Sequence, residues 1–405
     1  MSTKWKKAVV ISSLSFSLMI AGCAIEKSND AETSMGNEMK TSSQHEKGTA
    51  SSSFDITSSP IGEQLNAYHK ITNELNHINE NKEVNWNRVQ SLYEDRLQPV
   101  VTEMNVAYDK AITLAMEAGS EGNLDENAAG GLIVTVTQSY FYQKQHNMHS
   151  NIKTLLDKNN TTQASQQLEQ LKHLADRVFI PIAEKQDEYY GLNGDSSIVQ
   201  KIKSGLAAQK RNVENANSEE FSINKQITHH SVYRSYYLTV LSTVGKIEQE
   251  VSSETGTEEE LVALQAKAWG LYQAIKGSIS TVDGNAADEI NTLLSLNKTD
   301  VSSIDAGKVR HLFVQGLVGR VQSFHSEAAE SVASGNISSA RAQAMEANMI
   351  TKTIELAMKD KLGEEATSTA LKKTERWMEW ITDGEAEKAS KISKEIITTL
   401  NQIGV

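Results

Sequence analysis

Proline is almost absent from this chain: three residues in 405. A proline inside a helix removes an amide donor and clashes with the preceding turn, so a long chain with so few is free to build long helices. The apolar pattern uses that freedom. Ile61, Leu65, Tyr68, Thr72 and Leu75 step by four and three, as do Leu168, Leu171, Leu174/Ala175, Val178 and Ile182. The step recurs in Leu261, Leu264, Ala268, Leu271/Tyr272, Ile275 and Ile279. Each run puts one apolar stripe on a helix. Thr257 with Glu260 reads as a capping box, and Asp195, ahead of Ser196-Ser197-Ile198, as an N-cap. Breaks are expected at 119–123, 191–194, 283–285 and 335–336, where Gly, Asn and Asp gather. The β-branched run Ile133-Val134-Thr135-Val136-Thr137 sits inside a helical pattern and reads as buried helix. The pattern predicts an all-α fold of about ten to twelve helices, arranged as an elongated bundle or as divergent helical hairpins.

Hairpins are suggested by a weak internal echo. Long helices are expected to open near Asp125, near Phe221 and near Asp305, each followed by aromatic residues: Tyr140-Phe141-Tyr142, then Tyr233, Tyr236 and Tyr237, then Phe313 and Phe324. The spacing is about 80–93 residues, and shorter amphipathic helices follow at 163–188, 258–281 and 338–360. Units of this kind bury their faces against their neighbours.

The first residues carry a different signal. Lys4, Lys6 and Lys7 precede thirteen residues, Ala8 to Ile20, that are apolar apart from serines. This has the charge and length of a secretory leader and is too short for a membrane span. It ends in Ile20-Ala21-Gly22-Cys23, which resembles the bacterial lipobox. The resemblance implies cleavage between Gly22 and Cys23, a diacylglyceryl group on the Cys23 thiol and an acyl group (typically palmitate) on the new N-terminus. Cys23 is the only cysteine, so no disulfide within the chain is available. Two or more acyl chains give stable anchoring where one gives only reversible binding. Residues 1–22 are therefore expected to be a leader. Residues 23–60 are expected to be a lipidated tether, and 61–405 the helical domain. Ala24–Pro60 holds nine serines and four threonines in 37 residues, and as a flexible coil would span about 30–35 Å.

Charge narrows the partners. Without the leader, 37 basic residues face 52 acidic ones, a formal charge of −15. That disfavours nucleic acid and an anionic leaflet, both of which reward basic patches. The expected location is the outer face of the cytoplasmic membrane, held by lipid, with another cell-envelope protein as partner. No cofactor is implied beyond the lipid at Cys23.

Candidate chemistry is sparse. His146 and His149 stand three apart, on one helical face, where two imidazoles could share a metal ion. Tyr140, Tyr233 and Tyr237 could line a ligand groove, each having an apolar body and a polar tip. His325 stands near Glu327 and Glu330, but two-residue spacing sends His325 and Glu327 to different sides. The adjacent pair His229-His230 cannot chelate from one face. The chain has no G-x-S-x-G, H-E-x-x-H, G-x-x-x-x-G-K or G-x-G-x-x-G motif, so the expectation is a protein that is not an enzyme. The run Glu260-Leu261-Val262-Ala263-Leu264-Gln265-Ala266-Lys267-Ala268-Trp269, leading into Leu271-Tyr272-Gln273-Ala274-Ile275, resembles helical extracytoplasmic segments of oxidase-dependent bacterial iron-uptake systems. The R-E-x-x-E motif of those systems and the G-x-H-x-x-E motif of imelysin-like proteins are absent. Two expectations result: a non-catalytic binding or scaffold protein acting through a helical surface, or a protein that captures a metal ion or small ligand for an envelope uptake system.

Overall fold

The computed structural model describes residues 55–80 and 82–404. The leader, Gly22, Cys23 and the tether as far as residue 54 lie outside the described residues. Among the described residues the protein is all-α, with sixteen α-helices and no strand. The helices are α1 (Pro60–Leu75), α2 (Trp86–Arg96), α3 (Gln98–Met104), α4 (Val106–Ser120), α5 (Glu126–Asp157), α6 (Thr161–Leu174), α7 (Ile180–Tyr190) and α8 (Ile198–Glu214). They continue as α9 (Ser218–Ser253), α10 (Glu258–Ser280), α11 (Gly284–Leu293), α12 (Ala306–Ala333), α13 (Ile337–Thr353), α14 (Glu355–Leu362), α15 (Glu364–Thr382) and α16 (Ala386–Asn401). The number exceeds the expected ten to twelve because short interruptions divide continuous patterns. A single residue, Leu97 or Ile354, separates α2 from α3 and α13 from α14.

All three prolines stand in the first turn of a helix: Pro60 in α1, Pro99 in α3 and Pro181 in α7. There the missing N–H has no helical partner to lose. Before Pro181 the helix widens into a π turn, Ala175–Phe179. A π turn adds a residue to the helical phase, and the effect is visible in burial. Leu168, Leu171, Leu174, Ala175 and Val178 are buried as the stripe predicts, but beyond the turn Ala183 is buried and Ile182 only half-buried. The body also begins earlier than expected. Asp55 accepts from Thr57 N, Ser59 caps α1 through Gly62 N, and a Cβ on Gly62 would press on the Thr57 backbone.

The Thr257–Glu260 capping box opens α10, and the four expected breaks all separate helices. Asp195 is not an N-cap. It lies in a short 3-10 turn, and Ser197 caps α8 by accepting from Gln200 N. Asp187 of α7 completes that cap, accepting from Ile198 N at 2.8 Å and Val199 N at 3.1 Å. A carboxylate ten residues upstream satisfies the amides that the local sequence leaves open.

Helix α9 is the axis of the body, packed by α5, α7, α8, α10, α12 and α13. Helix α10 is wedged between α5 and α9 and is buried on two faces. Its large apolar stripe is one face. The other is a row of small residues, Ala263, Ala266, Gly270 and Ala274, set against α5. The two backbones come close there: Ser139 Oγ of α5 donates to Gly270 O at 2.7 Å. A Cβ on Gly270 would run into Thr135 Oγ1 and stand 2.9 Å from Thr135 Cβ. Thr135 cannot swing away without losing the bond its hydroxyl donates to Gly131 O.

Two glycines of α10 therefore respond oppositely to the same change. Gly270→Ala is expected to destabilise the body by about 1–3 kcal/mol through overpacking. Gly277→Ala, with nothing within 4 Å of the added methyl, is expected to stabilise it by up to about 1 kcal/mol. Urea unfolding of both variants measures this, and equal effects would overturn the close approach of α5 and α10.

Candidate functional site

The middle of α9 reads Thr228-His229-His230-Ser231-Val232-Tyr233-Arg234-Ser235-Tyr236-Tyr237, with polar and aromatic residues on every side. Such a stretch is usually solvent-exposed. Here every residue of it is buried except His229, which is half-buried. Buried polar groups must find hydrogen-bond partners or incur desolvation, and the partners come from the surrounding helices. Tyr236 donates its hydroxyl to Gln138 O of α5 at 3.1 Å. Gln226, one turn before, donates to Glu346 of α13 at 2.7 Å. The Arg234 guanidinium donates to Ser196 O and, at 3.2 Å, to Glu355 of α14, a nearly buried ion pair that Lys359 extends.

His149 joins this network. Gln209 of α8 donates its Nε2 to Thr228 Oγ1 at 2.8 Å, which leaves Gln209 Oε1 as the acceptor for His149 Nε2 at 3.1 Å. The proton of His149 is therefore on Nε2, and the ring is neutral. Burial, then the charge of Lys225, pushes its pKa down to about 3. His229 shares a hydrogen bond of 3.1 Å with the Tyr142 hydroxyl. Burial, followed by the neighbouring His230, holds His229 well below the ordinary histidine range.

The expected histidine pair is thus divided. His149 is buried with Nε2 committed to Gln209, while His146 is exposed and lies against His229, ring centroids 5.6 Å apart. Among the described residues no group of three or more His, Cys, Asp or Glu side chains is arranged to hold a metal. The expected tyrosine groove is instead core. Tyr140 is fully buried and donates its hydroxyl to Gln64 of α1 at 2.8 Å. Tyr237 is buried edge-on against Phe313, and Tyr233 is buried 6.4 Å from the His230 ring. Each tyrosine follows a helical phase that faces a neighbouring helix, so none reaches solvent as a ligand wall.

The sequence reading missed the Arg234–Glu355 pair and the Gln209 relay. The signal for them was α9 itself, a long helix whose polar residues do not segregate to one face. Among the described residues, several polar atoms of this centre have no hydrogen-bond partner: both amide atoms of Gln145, His229 Nδ1, both ring nitrogens of His230, and the hydroxyls of Ser231 and Tyr233. The surface offers shallow grooves. One of about 420 Å³ lies between α5 and α6, lined by Asn151, Thr154, Leu155, Gln163, Gln166, Gln167 and Gln170. Its lining is uncharged and, apart from Leu155, polar, with no acid–base pair among these residues. No protein family, no curated protein and no solved structure matches the chain.

The histidines set a pH dependence whose sign is fixed. His149 titrates near 6.5 when unfolded and near 3 when folded, so the unfolded chain takes up its proton first. This contribution to stability is complete above about pH 6.5 and is lost as pH falls toward 3, with a slope of about 1.4 kcal/mol per pH unit for each such histidine. His149→Gln is expected to flatten the slope between about pH 6.5 and 4.5 by up to that one-proton share. Urea unfolding across this range is the check, and an unchanged slope would remove His149 from the set of buried neutral bases.

Proposed function

We propose that this chain is a lipoprotein, anchored through Cys23 to the outer face of the cell membrane, and that its helical body is a non-catalytic binding or scaffold module for another cell-envelope protein. The observation that carries the reading is the leader: three lysines, an apolar run and Ile20-Ala21-Gly22 ahead of the one cysteine in the chain. A lone cysteine at that position has a use as a lipid carrier and none as half of an internal disulfide. The −15 charge of the mature chain favours a body that stands off anionic headgroups on its tether.

The helical body supports the non-catalytic part through the direction of its side chains. Apart from the exposed His146, the candidate histidines and tyrosines are turned inward, and side chains among and around them bond to neighbouring helices: His149 to Gln209, Tyr140 to Gln64, Tyr236 to α5. The outer faces carry mainly charged pairs such as Lys153–Asp157, Arg96–Glu63 and Arg376–Glu379. Exposed pairs of this kind add little stability, and they give partners a surface patterned by charge. The short–long–short order of α4–α5–α6, α8–α9–α10 and α11–α12–α13 fits divergent repeats of one helical unit, a construction that lends itself to broad binding faces.

Two measurements test the reading. Cys23→Ala is expected to abolish incorporation of a labelled fatty acid and to leave an uncleaved or soluble protein; unchanged labelling would remove the anchor. Thermal unfolding of the chelated protein is expected to show no shift with Fe, Zn, Cu or Ca. A rise in midpoint with one metal, lost on His146→Ala or His149→Ala, would replace the scaffold reading with metal capture.

A further inference from the structure

The last two helices, α15 and α16, dock on α12 and α13, and the centre of that contact is one imidazole. His325 of α12 is 3% exposed. Its ring stacks on Trp377 of α15 with centroids 3.7 Å apart and planes at 12°. Its Nδ1 shares a hydrogen bond of 2.8 Å with Ser393 Oγ of α16. One side chain thus touches both docking helices. Its other nitrogen, Nε2, is buried with no hydrogen-bond partner among the described residues.

The groups around it offer no charge to receive a proton. On α15, Thr374 is buried and turned to Asn348 of α13, Lys373 pairs with Glu395 of α16, Glu375 with Lys352 of α13, and Arg376 with Glu379. Lys372, on the same helix, is exposed. On α16, Lys388 pairs with Glu385, while Lys391 and Lys394 are exposed. On α13, Glu346 faces Gln226 and His230 of α9, and Arg341 pairs with Glu219 and Glu220. On α12 itself, Arg320 lies over Phe324, Glu327 accepts from Ser323, and Glu330 is exposed. The rest of the contact is apolar, with Trp377 and Ile381 of α15 and Ile392, Ile396 and Leu400 of α16 buried in the common core, and polar pairs such as Gln322 with Asn401 and Lys352 with Glu375 lie at its exposed rim. Where α14 meets α15 the link is Gly363, at φ +83, a left-handed conformation in which glycine turns without strain.

We propose that α15 and α16 form an acid-released flap latched by His325: a proton on its unpartnered imidazole nitrogen favours the undocked pair. Burial alone holds the docked ring down to about 3. Undocking exposes the ring to water and returns it to an ordinary value near 6.5. The undocked-to-docked ratio therefore rises as pH falls below about 6.5, approaching tenfold per pH unit, and by about 70-fold from about pH 7 to pH 4.5. The flap uncovers the faces of α12 and α13 on which it packs, so acid would change the surface that the body presents.

Hydrogen exchange by mass spectrometry on the full chain in detergent tests this, at about pH 7, 5.5 and 4.5, with rates corrected for intrinsic exchange. The opening constant of residues 364–403 is expected to rise by about 70-fold over that range, while amides of α5 and α9 stay protected. In His325→Phe, which keeps the stack on Trp377 and cannot titrate, that rise is expected to vanish. His325→Gln, which keeps a partner for Ser393, serves as a second non-titrating variant. Three outcomes would each overturn the proposal: exchange of 364–403 only together with the whole body, a flat pH response in the wild type, or an unchanged response in a folded variant.

Discussion

The polar stretch of α9 must be satisfied inside the protein, and much of the architecture answers to that demand. A buried hydroxyl, amide or guanidinium without a partner costs a sizeable part of the net stability of a domain. Helix α5 supplies the Gln138 carbonyl and the Tyr142 hydroxyl, α8 supplies Gln209, α13 supplies Glu346 and α14 supplies Glu355. These helices come from before and after α9 in the chain, as far off as α5 and α14, and each meets α9 at its own position. The short α14 is an example. It follows α13 after a single residue, and its Glu355 reaches Arg234 while Lys359, one turn on, balances the same carboxylate.

How much of this could be read in advance depends on the range of the cause. Thr257 and Glu260 cap α10 through bonds three residues apart, so the sequence displays the whole interaction. The stripe Ile61, Leu65, Tyr68, Thr72 and Leu75 is likewise local; its four large members are buried and Thr72 is half-buried. Asp195 failed as an N-cap because a 3-10 turn delays the start of α8 to Ser197, which caps it, and Asp187, a turn and a loop away, takes the other free amides from outside the local window. Ile182 failed as a stripe residue because a π turn changes the helical phase without leaving a mark in hydrophobic periodicity. The site was less legible than the fold. A helical spacing states that His146 and His149 lie near one face, but not that this face meets α8 and α9, nor that Gln209 takes the nitrogen a metal would need. Tyr140, Tyr233 and Tyr237 were given a groove because their hydroxyls suggested solvent; neighbouring helices enclose all three.

The polar axis also explains how a body with so many small residues keeps one register. The α5–α10 contact is lined by Ala263, Ala266, Gly270 and Ala274, and a row of small side chains at helical spacing looks much the same after a shift of one turn. Dispersion alone discriminates weakly among such shifts. Gly270 adds a first constraint, since it alone leaves room for Thr135 and presents its carbonyl to Ser139. The stronger constraint comes from α9. Sliding α5 along it by a turn would separate His149 from the Gln209–Thr228 relay and Gln138 from Tyr236 at once, leaving several buried polar atoms unpaired. Removing one partner of such a bond costs more than the bond itself contributes, so the network penalises wrong registers more than it stabilises the right one. Buried polar groups are a poor source of stability and a good source of specificity in settings of this kind. The polar centre of α9 is best understood as the element that makes an alanine- and glycine-rich helical stack choose a single arrangement.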